Sequence, residues 1–93
     1  NGKIWYGKNG TWFNSGNPAS GSNEAFSSIS ASNTYFVSGT MYNGGFTSLN
    51  HNFGNAPFAI SSGNADANGH GNFEYAVPSG YFSLCTKNLA EFG

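Results

Sequence analysis

The side chains best suited to chemistry are few, and most of them fall in one short stretch. Asp66, His70 and Glu74 follow one another at four-residue spacing. Ahead of them, Asn64-Ala65-Asp66-Ala67-Asn68-Gly69 sets oxygen-bearing side chains at alternate positions and then a glycine. That is how a calcium-binding loop opens. The pattern then fails. Its first ligand position is Asn64 rather than an aspartate, and the closing bidentate glutamate is due where Tyr75 stands, with Glu74 one place early. A solvated loop is the expected reading, and no metal or other cofactor is assigned. Asp66 and His70 are the acid and imidazole nearest in sequence. No Gly-x-Ser-x-Gly elbow or other activated nucleophile accompanies them, so no catalytic residue is assigned and the chain is read as a non-enzyme.

The remaining candidates each have a plain structural reading. His51 lies in an alternating segment on the face expected to be buried, and reads as a satisfied structural histidine. Nothing in the spacing of His51 and His70 supports a metal pair. The single cysteine, Cys85, has no internal disulfide partner. It sits between Leu84 and Thr86 and reads as a small buried hydrophobe. Asn9-Gly10-Thr11 fits a glycosylation acceptor, but a tight hairpin turn needs the same residues. Trp5 and Trp12 flank that turn. They offer flat faces for stacking sugars, although packing into a thin core is the favoured role. The candidate binding surface therefore comprises Trp5, Trp12, Asn14, Asn43, Asn64, Asp66 and His70.

Composition limits what can position these residues. Ninety-three residues form at most one domain, taken as 1–93. A domain of this size buries only about 60–65% of its unfolded surface, so the core must be thin. Aromatic residues make up 17% of the chain and charged residues 8%, the reverse of a disordered composition. A net charge of −1 offers no footprint for a phosphate backbone, so nucleic acid is not an expected partner. No apolar run is long enough to span a membrane.

The elements read as short strands cut by turn chemistry. Lys3–Lys8 and Thr11–Phe13 flank Asn9-Gly10, a strong signal for a tight hairpin. Asn14 to Asn23 is a loop, and Glu24 to Ser32 is ambiguous. Tyr35–Tyr42 and Phe46–Phe53 are expected to pair across Asn43-Gly44-Gly45, with Thr47, Leu49, His51 and Phe53 on the buried face. Ser61 to Asn72 reads as a polar loop. Phe73–Tyr75 and Tyr81–Cys85 read as the last strands, separated by a turn at Pro78-Ser79-Gly80. Little or no α-helix is expected. Ile4, Tyr35, Val37, Leu49, Phe53, Phe58, Phe82 and Leu84 are the expected core.

In order and spacing these segments resemble SPRY domains. Ile4-Trp5-Tyr6-Gly7-Lys8-Asn9-Gly10-Thr11-Trp12 resembles that family's aromatic strand, Asn-Gly turn and return strand. The Asn14-Ser15-Gly16-Asn17-Pro18 continuation is similar to the form found in bacteriophage and environmental virus proteins. Tyr35-Phe36-Val37 precedes the next matched strand. Leu49-Asn50-His51-Asn52-Phe53-Gly54-Asn55-Ala56-Pro57-Phe58 resembles the family's Leu-Asn-Phe-Gly-Gln-x-Pro-Phe with His51-Asn52 inserted. The tail from Phe73 to Leu89 resembles its closing Phe-x-Tyr-x-x-Pro-x-Gly-aromatic-x-x-Leu, then Cys or Asn, then Thr-x-Asn-Leu.

The resemblance implies an all-β, bent antiparallel β-sandwich and a binding role without catalysis. It implies a virion structural or adhesion module, as in a bacteriophage tail fibre or capsid decoration. Its partners would be other virion chains in an oligomer and a cell-surface glycan or protein receptor, and its location the virion surface or extracellular space. The matched motifs belong to the second half of the domain. Asn1-Gly2 has the form of a hairpin turn with no strand before it. Both features predict a partial domain, completed by strands from elsewhere. The alternative readings are a carbohydrate-binding β-sandwich and a protein-recognition domain of a cellular protein.

Overall fold

A computed structural model describes residues 2–40, 42, 44–45 and 48–93. Regular structure is sparse. Strands β1 (Gly7–Lys8) and β2 (Thr11–Trp12) form an antiparallel pair in the register Gly7↔Trp12 and Lys8↔Thr11. The expected turn joins them. Asn9 and Gly10 have φ of 50° and 79°, the doubly left-handed pair that a two-residue hairpin requires. A 3-10 turn, Phe13–Ser15, follows β2. A seven-residue helix, α1 (Thr86–Phe92), closes the chain.

Isolated antiparallel bridges do the rest. Ile4 pairs with Phe26, Asn17 with Ser22, and Asn64 with Phe73. The first closes the ambiguous Glu24–Ser32 segment onto the amino-terminal strand, and Ile29 N–H donates to Gly2 O at 3.0 Å beside it. That segment is irregular rather than helical. No helix among the described residues is long and apolar enough to cross a membrane.

Several expectations are corrected. The short helix Thr86–Phe92 lies outside the segments expected as strands. Asn88 and Leu89 of the closing motif lie on that helix, and Tyr81–Cys85 before it forms no ladder. The described residues of Tyr35–Tyr42 and Phe46–Phe53 also carry no ladder. Met41, Asn43, Phe46 and Thr47, which include the expected turn's first residue, lie outside the described residues. The two segments approach each other at Gly39 and Leu49 without pairing among the described residues. A Cβ on Gly39 would stand 2.5 Å from the Leu49 side chain.

The expected core is not assembled. Ile4 is half-buried. Tyr35, Val37, Leu49, Phe53, Phe58, Phe82 and Leu84 are exposed. Among the described residues no large apolar side chain is fully buried. The physical reason is that nothing among the described residues covers these faces: alternating faces become interior only when another sheet or helix packs on them. The radius of gyration, 14.5 Å, is correspondingly larger than the roughly 12 Å of a compact domain this long.

Candidate functional site

The best-organised cluster is polar and is centred on Asp66. Asn64 and Phe73 exchange both backbone hydrogen bonds at 2.8 Å, forming the base of a hairpin. Inside it, Asp66 N–H donates to His70 O and Gly69 N–H to Asp66 O, both at 2.9 Å. Gly69, at φ 78°, takes the left-handed position of this turn. The Asp66 carboxylate completes the loop through Oδ1, which accepts the backbone N–H of Asn68 and of His70, each at 3.0 Å. This is an Asx-turn, the local bond by which aspartate stabilises turns.

The other oxygen reaches across to the carboxy-terminal segment. Oδ2 accepts the backbone N–H and the hydroxyl of Ser83 and the amide of Asn88, all at 2.8 Å. Asn88 Nδ2 also lies 2.8 Å from Ser83 O, and Asn68 Nδ2 donates to Asn88 Oδ1 at 2.8 Å. Asp66, Ser83 and Asn88 are the buried polar residues among those described, at 6%, 7% and 8% exposure. Burial by itself would raise the Asp66 pKa. The bonds from Ser83 N–H, His70 N–H, Asn88 and the Ser83 hydroxyl more than offset it and hold the carboxyl well below its ordinary range.

The solvated-loop reading of Asp66 is therefore corrected. Its oxygens face N–H and O–H donors from the chain itself, which leaves them poorly placed to ligate a cation. Among the described residues no group of three His, Cys, Asp or Glu is positioned to hold a metal. The Asp66–His70 pair meets through the His70 backbone, not its ring. The ring's Nε2 stands 3.6 Å from Glu91 Oε2 on α1 and has no hydrogen-bond partner.

The other candidates lie apart. Asn64 is half-buried, and its amide donates to Ser62 Oγ, Phe73 O and Glu74 O at 3.0–3.2 Å. Glu74 accepts the Ser61 N–H and hydroxyl, and these bonds lower its pKa. Trp5 is half-buried, set edge-on to Tyr81 at 6.0 Å, and its Nε1–H donates to Ser22 O at 2.8 Å. Trp12 is 38% exposed, so it is not in a core. Asn14 is exposed in the 3-10 turn at φ 56°, and Asn43 lies outside the described residues.

His51 is corrected from buried to exposed; it stacks on Phe53 at 5.8 Å and 12°. Cys85 is half-buried at the N-cap of α1. The backbone N–H of Asn88 and then the Ser83 hydroxyl lower its thiol pKa.

A second feature is a groove between the β1–β2 hairpin and residues 73–78, about 720 Å³ in volume. Trp12, Phe58, Tyr75, Val77 and Phe82 form its walls. The turn fixes one side: a Cβ on Gly10 would come 2.8 Å from the Tyr75 ring.

Ser83 entered the sequence reading as part of an expected strand, and Asn88 as a member of the closing motif. The available signal was stoichiometric. A buried carboxylate in a chain this poor in cations needs neutral donors, and the segment from Tyr81 to Leu89 contains a serine and an asparagine.

A scan against protein-family models matches none, and searches of curated proteins and of solved structures give no match.

Proposed function

We propose that this chain is a non-catalytic structural and adhesion module of a virion surface, such as a phage tail fibre or capsid decoration. In this reading it adopts the SPRY-like antiparallel sandwich when strands of another protein chain complete it. The observation that carries the proposal is the segment around Phe36. By sequence it is the strongest strand in the chain. Yet residues 31–40 are exposed throughout, with Phe36 at 87% and Val37 at 67%. An unpaired strand with exposed aromatic side chains is a template for another chain. The Asn, Ser, Thr and Gly surface suits the extracellular face of such an assembly. Sedimentation velocity over a concentration series tests it. The chain is expected to associate, and Phe36→Ser with Val37→Ser to remain monomeric. A cooperative, monodisperse monomer at every concentration would contradict the proposal.

A further inference from the structure

We infer that the groove between the β1–β2 hairpin and residues 73–78 receives the segment 34–38 of a second copy of this chain. The inference rests on the assembly reading above and names the partner and both halves of the contact. Surface area points to two covered patches on each chain. The chain exposes 7239 Å², whereas a compact monomer of its 9.8 kDa mass exposes roughly 5,200 Å². A standard interface takes about 800 Å² from each partner. Pairing of like segments uses one patch and removes less than half of the excess. A segment seated in a groove uses two separate patches on every chain and removes most of it.

The two patches match. Residues 34–40 make no backbone–backbone hydrogen bond among the described residues. Nor do Tyr75, Ala76 and Val77 along the groove. One extended segment laid beside the other satisfies both, as in strand addition to an open edge. Alternation puts Phe36 on one face of its segment and Tyr35 and Val37 on the other. The Tyr35 hydroxyl is held by the Ser30 N–H at 3.1 Å and the Asn33 amide at 3.3 Å, whereas Phe36 is 87% exposed. Phe36 is therefore the side chain that enters, against the exposed Trp12, Phe58 and Phe82 of the groove. No residue of 31–40 lines the groove of its own chain. Charge also favours a second copy. Segment 31–40 carries no Asp, Glu, Lys, Arg or His. Glu74, the charged residue of the lining, is bonded by Ser61 through both oxygens. Neither patch asks its partner for a counter-charge, and the same chain supplies both.

Sedimentation velocity on mixed variants of the 93-residue chain tests the contact. Phe36→Ser removes the inserted side chain. Ala76→Lys places a charge at an exposed position of the groove. Phe58→Ser, at another exposed groove position, takes its place if the circular dichroism of Ala76→Lys departs from that of the parent. Each variant alone is expected to associate at least about tenfold more weakly than the parent, as for loss of a central aromatic anchor. An equimolar mixture of Phe36→Ser with the groove variant is expected to form a one-to-one dimer, because one intact segment meets one intact groove. The inference is overturned if both groove variants associate like the parent, which leaves the assembly reading standing with its interface elsewhere. It is overturned as well if the two weakened variants do not pair, since segment and groove would then not be each other's partner. A parent that is monomeric at every concentration removes both readings.

Discussion

Ser83 donates both its backbone N–H and its hydroxyl to one oxygen of Asp66, each at 2.8 Å. The pair ties the 64–73 hairpin to the segment that leads into α1. Asn88, on the first turn of that helix, closes the triangle at 2.8 Å from the same oxygen. Removing the carboxylate while keeping its shape leaves several buried donors without an acceptor. Asp66→Asn is therefore expected to lower the thermal midpoint more than Ser83→Ala does. Ser83→Ala removes one bond and lowers it by on the order of 5 °C or more. Differential scanning calorimetry on both variants gives the order directly, and equal midpoints for parent and Asp66→Asn would remove the lock.

The same network sets an acid limit. Asp66, Glu24 and Glu74 all have folded pKa values below their ordinary ones, 3.8 for the aspartate and 4.5 for the glutamates. For Glu24 the causes are its own backbone N–H and then Lys3, which lies 3.2 Å away. A depressed folded pKa favours folding above the unfolded value and loses that contribution as pH falls toward the folded one. Urea unfolding is therefore expected to give a flat stability above about pH 5 and a steep decline below about pH 4. In Asp66→Asn the decline should be shallower, because the largest depressed group is gone.

Little of this lock was legible in sequence. The Asn9-Gly10 hairpin was, because both residues accept positive φ and the bond pattern is local. The Asp66–Ser83–Asn88 contacts join residues 17 and 22 apart in sequence. Periodicity says nothing about such polar pairs, and the calcium-like spacing drew attention to ligation instead. The apolar core was misplaced for the opposite reason: alternation identifies a face but not whether anything covers it.

Gly10 offers a local test of the groove. Its φ of 79° suits glycine, and the Tyr75 ring occupies the space a Cβ would take. Gly10→Ala is expected to cost about 1 kcal/mol or more, from the backbone alone. Because Tyr75 must move, its ring-proton shifts in NMR spectra should change together with those of Trp12. Unchanged Tyr75 shifts would place the ring away from the turn.

Cys85 should react as a thiol with a lowered pKa. The Asn88 N–H and the Ser83 hydroxyl favour its thiolate, against the opposing effects of burial and of the Asp66 charge. Ser83 has one hydroxyl proton, and Asp66 Oδ2 at 2.8 Å outcompetes Cys85 Sγ at 3.5 Å. The helix N–H is then the dominant partner. The rate of alkylation by iodoacetamide is expected to rise with pH through a midpoint below that of a free cysteine peptide. Ser83→Ala should shift that midpoint only slightly, whereas a large shift would assign the effect to the hydroxyl.

The balance of polar and apolar contributions can be measured in one comparison. Leu49 was expected in the core, where truncation to alanine costs about 2–5 kcal/mol. It is 48% exposed, and exposed positions away from special features usually change stability by less than about 0.5 kcal/mol. Its neighbour Gly39 supplies one close contact, so Leu49→Ala in the isolated chain is expected to fall near the lower figure. Asn88 is 8% exposed and joins Asp66, Ser83 and Asn68. Asn88→Ala leaves buried acceptors unmatched and should cost more than Leu49→Ala, by urea denaturation at neutral pH. The order should change on assembly. If partner strands cover the face carrying Leu49, its truncation will weaken association while Asn88→Ala still acts on the chain alone. A larger cost for Leu49→Ala than for Asn88→Ala in the monomer would show that an apolar core already holds the isolated chain together.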